Sequence, residues 1–310
     1  MRLLIAGILL TAGFAALPLA SDRTDWLTLG IQIFLAVSLA QSWNVLGGYA
    51  GQITLGHAAF FGLGALVTRT LWLGGTALVY AMAAGAAVAV LFGLLIGLPA
   101  FRLRGAYFAI GTLGLAEILR ITVGNLMPEI STLPAPALAS YDTAARYYLF
   151  LALAVLSVAV VTLVVRSRVG LALQAIREDE LAAEASGVGA LGHKLLALAV
   201  SSALAALAGG AFAYYHVSYY PQHVFSPAWT FDAVLIAFIG GVGTIHGPVL
   251  GALFYVVVKE ALALRLVESH LLIFGAAFIL VVLFLPGGLV SAWAVAGRWA
   301  GRVLARAPVR

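Results

Sequence analysis

Residues 76–100 read TALVYAMAAGAAVAVLFGLLIGLPA, a run without one charged side chain. The hydrocarbon core of a bilayer asks a helix for roughly 20 mainly apolar residues, so this run is long enough to cross. The same window, moved outward, finds further spans near 3–20, 27–46, 53–73, 105–124, 147–165, 195–216, 229–246, 248–264 and 270–290. The expected fold is all-α, a polytopic transmembrane helical bundle of about ten spans in a single domain, 1–310. Composition agrees: 63% of the 310 residues are hydrophobic and 9% are charged, where soluble domains carry about 25% charged. Mean hydropathy is +1.08. A soluble fold of this length would leave much of that apolar surface in water.

Charge gives the bundle a direction. With the N-terminus inside, the inner segments hold eleven basic residues, among them Arg102, Arg104, Arg166, Arg168, Arg177, Lys194 and the C-terminal arginines. The outer segments and outer helix ends hold five, Arg23, Arg69, Arg146, Lys259 and Arg265. Basic residues prefer the cytoplasmic side, and an even number of spans returns the tail there. Both termini are expected in the cytoplasm. Residues 3–20 compete with a signal-peptide reading, but Pro18 in the cleavage region and the full spanning length favour a retained helix. The loop from Asn125 to Arg146, with Pro128, Pro134 and Pro136, reads as irregular outer cover.

Several function classes drop out. The net charge of +5 is spread over short loops and a tail, so no basic face for nucleic acid is expected. There is no cysteine. His57, His193, His216, His223, His246 and His270 are scattered, and none makes the His-Glu-x-x-His spacing of a zinc site. No Gly-x-Ser-x-Gly elbow occurs. No cofactor, metal or catalytic residue is therefore expected. His216 and His223 lie among Tyr214, Tyr215, Tyr219 and Tyr220, an interfacial aromatic cluster.

The longest inner loop, 166–194, is unlike the others. It is helical in pattern, with apolar residues at 172, 175, 176, 182 and 183 interrupted by Arg177, Glu178, Asp179, Glu180 and Glu184, and with Gly187 as a natural stop. A helix lying on lipid carries mostly Lys and Arg on its polar face; here that face is acidic, which favours docking to a cytoplasmic partner.

Within this loop, residues 175–187 (AIREDELAAEASG) resemble the coupling-loop motif of ABC importer permeases, a Glu-Ala-Ala followed three residues later by Gly. Ala182, Ala183 and Gly187 match, while Leu181 stands where the motif has Glu. Three more stretches, 47–64 (GGYAGQITLGHAAFFGLG), 102–117 (RLRGAYFAIGTLGLAE) and 240–252 (GGVGTIHGPVLGA), resemble the branched-chain amino acid permeases of the LivM type, over about residues 40–290. The resemblance implies a permease subunit of an ATP-driven importer in the bacterial inner membrane. It implies as partners two ATPase subunits, a second homologous permease and a periplasmic substrate-binding protein. Arg177, Glu178, Asp179, Glu180, Ala182, Ala183, Glu184 and Gly187 would form the coupling loop. The chain has no Gly-rich loop ending in Lys-Ser or Lys-Thr, its two lysines being followed by Leu195 and Glu260, so the ATPase must be supplied by other subunits.

Gly47, Gly48, Gly51 and Gly56 fall where a span should be continuous. Irregular backbone at that depth is tolerated only against protein or water, so they mark either a broken helix beside a substrate path or close helix packing. Gln52, Thr54 and His57 tip this stretch towards the path. Gly247 and Gly251, four apart, read as a packing face, with Pro248 starting a helix. Both stretches begin Gly-Gly and later carry a His, a hint of a repeat too short to build on. Glu117 and Arg120 share a helix face at i,i+3, either functional or fixing register. Asp232 follows Ser226-Pro227 and complements a helix start. The candidate path residues are thus Gln52, Thr54, His57, Tyr107, Thr112, Glu117 and Asp232. Related cargoes such as urea or short amides stay open, as does an ion-coupled carrier using Glu117, Arg120, Asp232 and the histidines as a relay.

Overall fold

The computed structural model describes residues 11–18, 24–127 and 131–265, together with 275–276, 279, 283 and 287–291. Helix α1 (residues 11–18) precedes α2 (Thr24–Trp43), which continues without a break into a π-helical turn, Asn44–Tyr49. An extended stretch then leads to α3 (His57–Leu73), α4 (Leu78–Ala100) and α5 (Ala106–Leu126). Next come β1 (Ser131–Thr132), α6 (Ala135–Ala139), α7 (Thr143–Arg166), α8 (Arg168–Glu178), α9 (Glu180–Ala185) and α10 (Ala190–Tyr215). β2 (Ser218–Tyr219), α11 (Pro221–Val224), α12 (Ala228–Gly240) and α13 (Gly247–Arg265) complete the order.

Six helical segments among the described residues are long and apolar enough to cross a membrane: Thr24–Tyr49, Leu78–Ala100, Ala106–Leu126, Thr143–Arg166, Ala190–Tyr215 and Pro221–Gly240. The protein is an all-α, multi-pass membrane bundle. Of the expected ten spans, most of the tenth and most of the first lie outside the described residues, as do Arg2, Arg23, Pro128, His270 and the C-terminal arginines. The expected span 53–73 starts only at His57 and gives a helix of 17 residues. The expected span 229–246 stops at Gly240. The outer loop is less irregular than its prolines suggest, since Ser131 and Thr132 pair antiparallel with Tyr219 and Ser218 and Asp142 caps α7 by accepting from Ala144 N.

The segment Thr24–Tyr49 and α10 are enclosed, whereas α4, α5 and α7 turn most of their surface outward. Leu91, Leu95, Ile110 and Leu163 are among the exposed side chains, a belt that suits lipid and not water. Between apolar helices in lipid, burial from water cannot drive association, so backbone proximity must. Glycines provide it. A Cβ at Gly64 would run into the Ala206 backbone, and one at Gly209 into Phe61 O, so α3 and α10 touch main chain to main chain. Gly85 lets α4 join the same seam, where a Cβ would lie 2.9 Å from Gly64 O. Phe61 stacks on Trp229 at 4.7 Å, which ties α12 to this core.

One end of the bundle is closed by two buried arginines. Arg69 Nη1 donates to Ala213 O (2.9 Å) and His216 O (3.0 Å), and Nη2 donates to Ser131 O and Val217 O, each at 3.0 Å. Arg146 lies over the Tyr141 and Tyr214 rings, 3.6 and 4.3 Å from their centroids, and its Nε donates to Tyr214 O. Both cations therefore meet the C-terminal carbonyls of α10, where the helix dipole favours positive charge. Counted from sequence as residues of outer helix ends, both are enclosed by protein, at 2% and 1% exposure. Burial beside them pushes the Tyr219 phenol well above its usual range, with the Arg69 charge pulling the other way. The opposite end carries α8 and α9.

Candidate functional site

Two helix breaks lie side by side near the α8–α9 end. The first follows the π-turn. Gly51, at φ +69°, ends it, in a conformation that favours glycine. The extended backbone up to Gly56 loses its helical partners and finds others. Trp43 Nε1 donates to Thr54 O (2.9 Å), Leu55 N to Thr112 Oγ1 (3.0 Å), and Gly56 N to Thr54 Oγ1 (3.1 Å). Irregular backbone whose polar groups find protein partners in this way is allowed at membrane depth. The second break, 241–246, contains Gly241 (φ +129°) and Gly243 (φ +74°).

Polar side chains from α2 and its π-turn join the two. Asn44 Oδ1 accepts from Gly243 N at 2.8 Å, while its Nδ2 donates to Thr244 O at 2.9 Å. Gln41 Nε2 donates to Ile245 O at 2.7 Å. Asn44 and Gln41 were not among the expected site residues. The signal was present, because a polar residue inside an apolar span is costly unless it has work to do, and the span holds Ser38, Gln41, Ser42 and Asn44. Replacing Asn44 by Ala is expected to cost about 1–3 kcal/mol, two interhelical hydrogen bonds in a membrane protein being worth about 0.6–1.7 kcal/mol each. Thermal unfolding of the detergent-solubilised protein reads this, and an unchanged transition would remove the clasp role.

Of the expected path residues, the structure gathers Thr54, Thr112, Gln52 and His57 around the first break. Thr54 is buried and Gln52 half-buried. His57 opens α3, fully enclosed, with Nε2 2.7 Å from Ser201 Oγ; Ser201 in turn donates to Ser42 O. The imidazole thus pins α3 to α10 and α2. The others lie elsewhere. Tyr107 is 76% exposed on α5. Glu117 is paired with Arg120 on the same helix, Nε donating to Oε2 at 2.8 Å. Asp232 is five residues into α12 and accepts from Tyr255 Oη at 2.5 Å, with Lys259 Nζ at 3.5 Å, so it ties α12 to α13 instead of complementing a helix start. Gly247 and Gly251 are packing glycines as expected. A Cβ on either would strike the backbone of residues 236–241.

The loop 166–194 folds as two helices, not one. Asp179 is the reason: its Oδ1 accepts from Leu181 N and Ala182 N, capping α9 and ending α8. The greasy side consists of Leu173, Ile176, Ala183 and Ala190, all buried, so Ala175 and Ala182 fall outside it. Gly187, at φ +89°, closes α9, its N–H bonding Glu184 O and Val188 N bonding Ala183 O. Glu180 is engaged by Lys194 at 2.7 Å. Glu178, Glu184 and Leu181 remain exposed, and Leu181 at 63% is an apolar knob on a polar tip.

Residues 23–282 match the family described as branched-chain amino acid transport system / permease component. The chain is 32% identical over 297 residues to the high-affinity branched-chain amino acid transport system permease protein LivM of Salmonella typhimurium, covering 84% of this chain and 68% of that one. It is 30% identical to the protein of the same name from Escherichia coli, with the same coverage of both chains. A probable branched-chain amino acid transport permease protein LivM of Methanocaldococcus jannaschii matches 39% of each chain at 31% identity. No solved structure matches significantly.

Proposed function

Because the chain belongs to the permease-component family of branched-chain amino acid transport systems, we propose that it moves leucine, isoleucine and valine inward by alternating access, driven by separate ATPase subunits. The family match over residues 23–282 carries this reading. The chain is a transport subunit and not itself an ATPase. Its setting is a bilayer crossed several times; we place it in the bacterial inner membrane, with ten crossings and both termini in the cytoplasm. Its proposed partners are two ATPases, a second homologous permease and a periplasmic binding protein.

The α8–α9 pair is the proposed seat of the ATPase. Two short helices with acidic side chains and an exposed Leu181 suit a protein partner better than an anionic lipid surface. Leu181 would fill an apolar pocket on the ATPase in place of the carboxylate that the family motif carries. Movement of this pair on ATP binding rocks the spans and opens the path to the other side.

Uptake of radiolabelled leucine in vesicles carrying all subunits tests the reading. It is expected to stop when the ATPase is inactivated and to persist with an uncoupler. The reverse result would make the protein an ion-coupled carrier. Within that system, Glu184→Lys and Gly187→Pro are expected to lower uptake about tenfold, in the range of ordinary coupling energies. Proline cannot adopt the φ of +89° at position 187. Unchanged uptake and stimulated hydrolysis in both variants would reject the docking role.

A further inference from the structure

Arg177 is in the last turn of α8, on the segment proposed to seat the motor, yet its guanidinium reaches back to the π-turn that ends the Thr24–Tyr49 segment. Its Nη1 donates to Gly48 O at 2.6 Å. Gly48 lies at the C-terminal end of the continuous helical segment Thr24–Tyr49, where a carbonyl lacks a helical donor and the dipole attracts a cation. A hydrogen bond from a charged donor is the stronger kind. The glycines around it leave room for this side chain. A Cβ at Gly51 would lie 3.0 Å from Arg177 Cγ and 3.3 Å from its Cα, and one at Gly243 would overlap Nη1. Both helix breaks and the coupling helix therefore meet at one arginine, its stem against Gly51 and its guanidinium against Gly48 and Gly243.

We propose that Arg177 is a positioning residue that carries displacement of α8–α9 to both breaks at once. The proposal rests on the importer reading above. A hydrogen bond of 2.6 Å is lost within about 1 Å of stretching, so when α8 shifts, Gly48 either follows or is released. Asn44 links Gly48's turn to the second break through Gly243 and Thr244, so the two breaks move together. Glycines at φ +69° and +74° are suited to absorb such backbone rotation. The helices that start after the breaks, α3 and α13, then tilt as a pair.

The test uses the complete importer in proteoliposomes, with leucine uptake and ATP hydrolysis measured together for wild type, Arg177→Ala and Arg177→Lys. Arg177→Ala is expected to lower uptake per ATP hydrolysed about tenfold. Arg177→Lys is expected to fall between, because an ammonium can reach one carbonyl without the reach and shape of guanidinium. Hydrogen exchange on the same proteins is expected to quicken at both 48–56 and 241–246 in Arg177→Ala. Wild-type uptake per ATP in the variants, or quickened exchange confined to α8, would overturn the proposal. If Arg177→Ala does not assemble, Arg177→Lys decides by the same two readouts. Wild-type uptake independent of ATP would instead bring down the importer reading, which separates the two failures.

Discussion

Arg69→Met is expected to destabilise the solubilised protein by about 3–5 kcal/mol, comparable to breaking a buried charged network by removing one partner. Methionine keeps much of the volume and removes every donor. The carbonyls of Ala213, His216, Ser131 and Val217 then lose their shared partner; Val217 O keeps the Leu133 N–H, and each of the others left dry costs about 1–3 kcal/mol. Some would rehydrate at the bundle end, which keeps the total below the sum. Lysine at the same position should recover part of the loss, having a charge but a single nitrogen. The readout is the thermal transition in detergent micelles, with wild type, Met and Lys ordered by stability. A methionine variant that melts with wild type would show that the guanidinium is dispensable there.

The second large effect lies at the α3–α10 seam. Gly64→Ala and Gly209→Ala each place a methyl group against main-chain atoms, Ala206 in one case and Phe61 in the other. Backbone cannot rotate out of the way as a side chain can, so the helices must separate. Overpacking of this kind costs about 1–3 kcal/mol, occasionally more, and valine at either site should exceed alanine. The control is Gly192→Ala on the same α10, where a Cβ meets nothing within 4 Å. There, alanine should be neutral or stabilising by up to about 1 kcal/mol. A loss at position 192 as large as those at 64 and 209 would mean that the main-chain contacts of the seam do not set the result.

The long helices could be read from sequence because lipid imposes a single demand, a sustained apolar run, and the runs at 76–100, 105–124 and 147–165 meet it. The breaks were harder to place. Apolar composition continues through Ile53 and through Val242 and Ile245, so hydropathy carries the span across segments whose backbone is not helical. Glycines at positive φ turn the chain there, but what holds the non-helical backbone is a set of donors and acceptors, Trp43, Asn44 and Thr112, brought to it only by folding. The loop 166–194 shows the same limit locally: its amphipathic spacing suggested one helix, while Asp179 used its carboxylate to start another. Charge counting placed Arg69 at an outer helix end, but a count of basic residues cannot tell a solvated cation from one enclosed by carbonyls.

The π-turn at Asn44–Tyr49 is, in effect, an α-helix with one residue too many, a form seen mostly as single turns at functional sites. Loss of a single codon within it would let the stretch relax to ordinary helix. Each residue of α-helix turns the chain by about 100°, so such a deletion would swing the Gly48 carbonyl away from Arg177 and the Asn44 amide away from Gly243. The gene is therefore expected to tolerate many apolar exchanges along this helix but almost no change in its length.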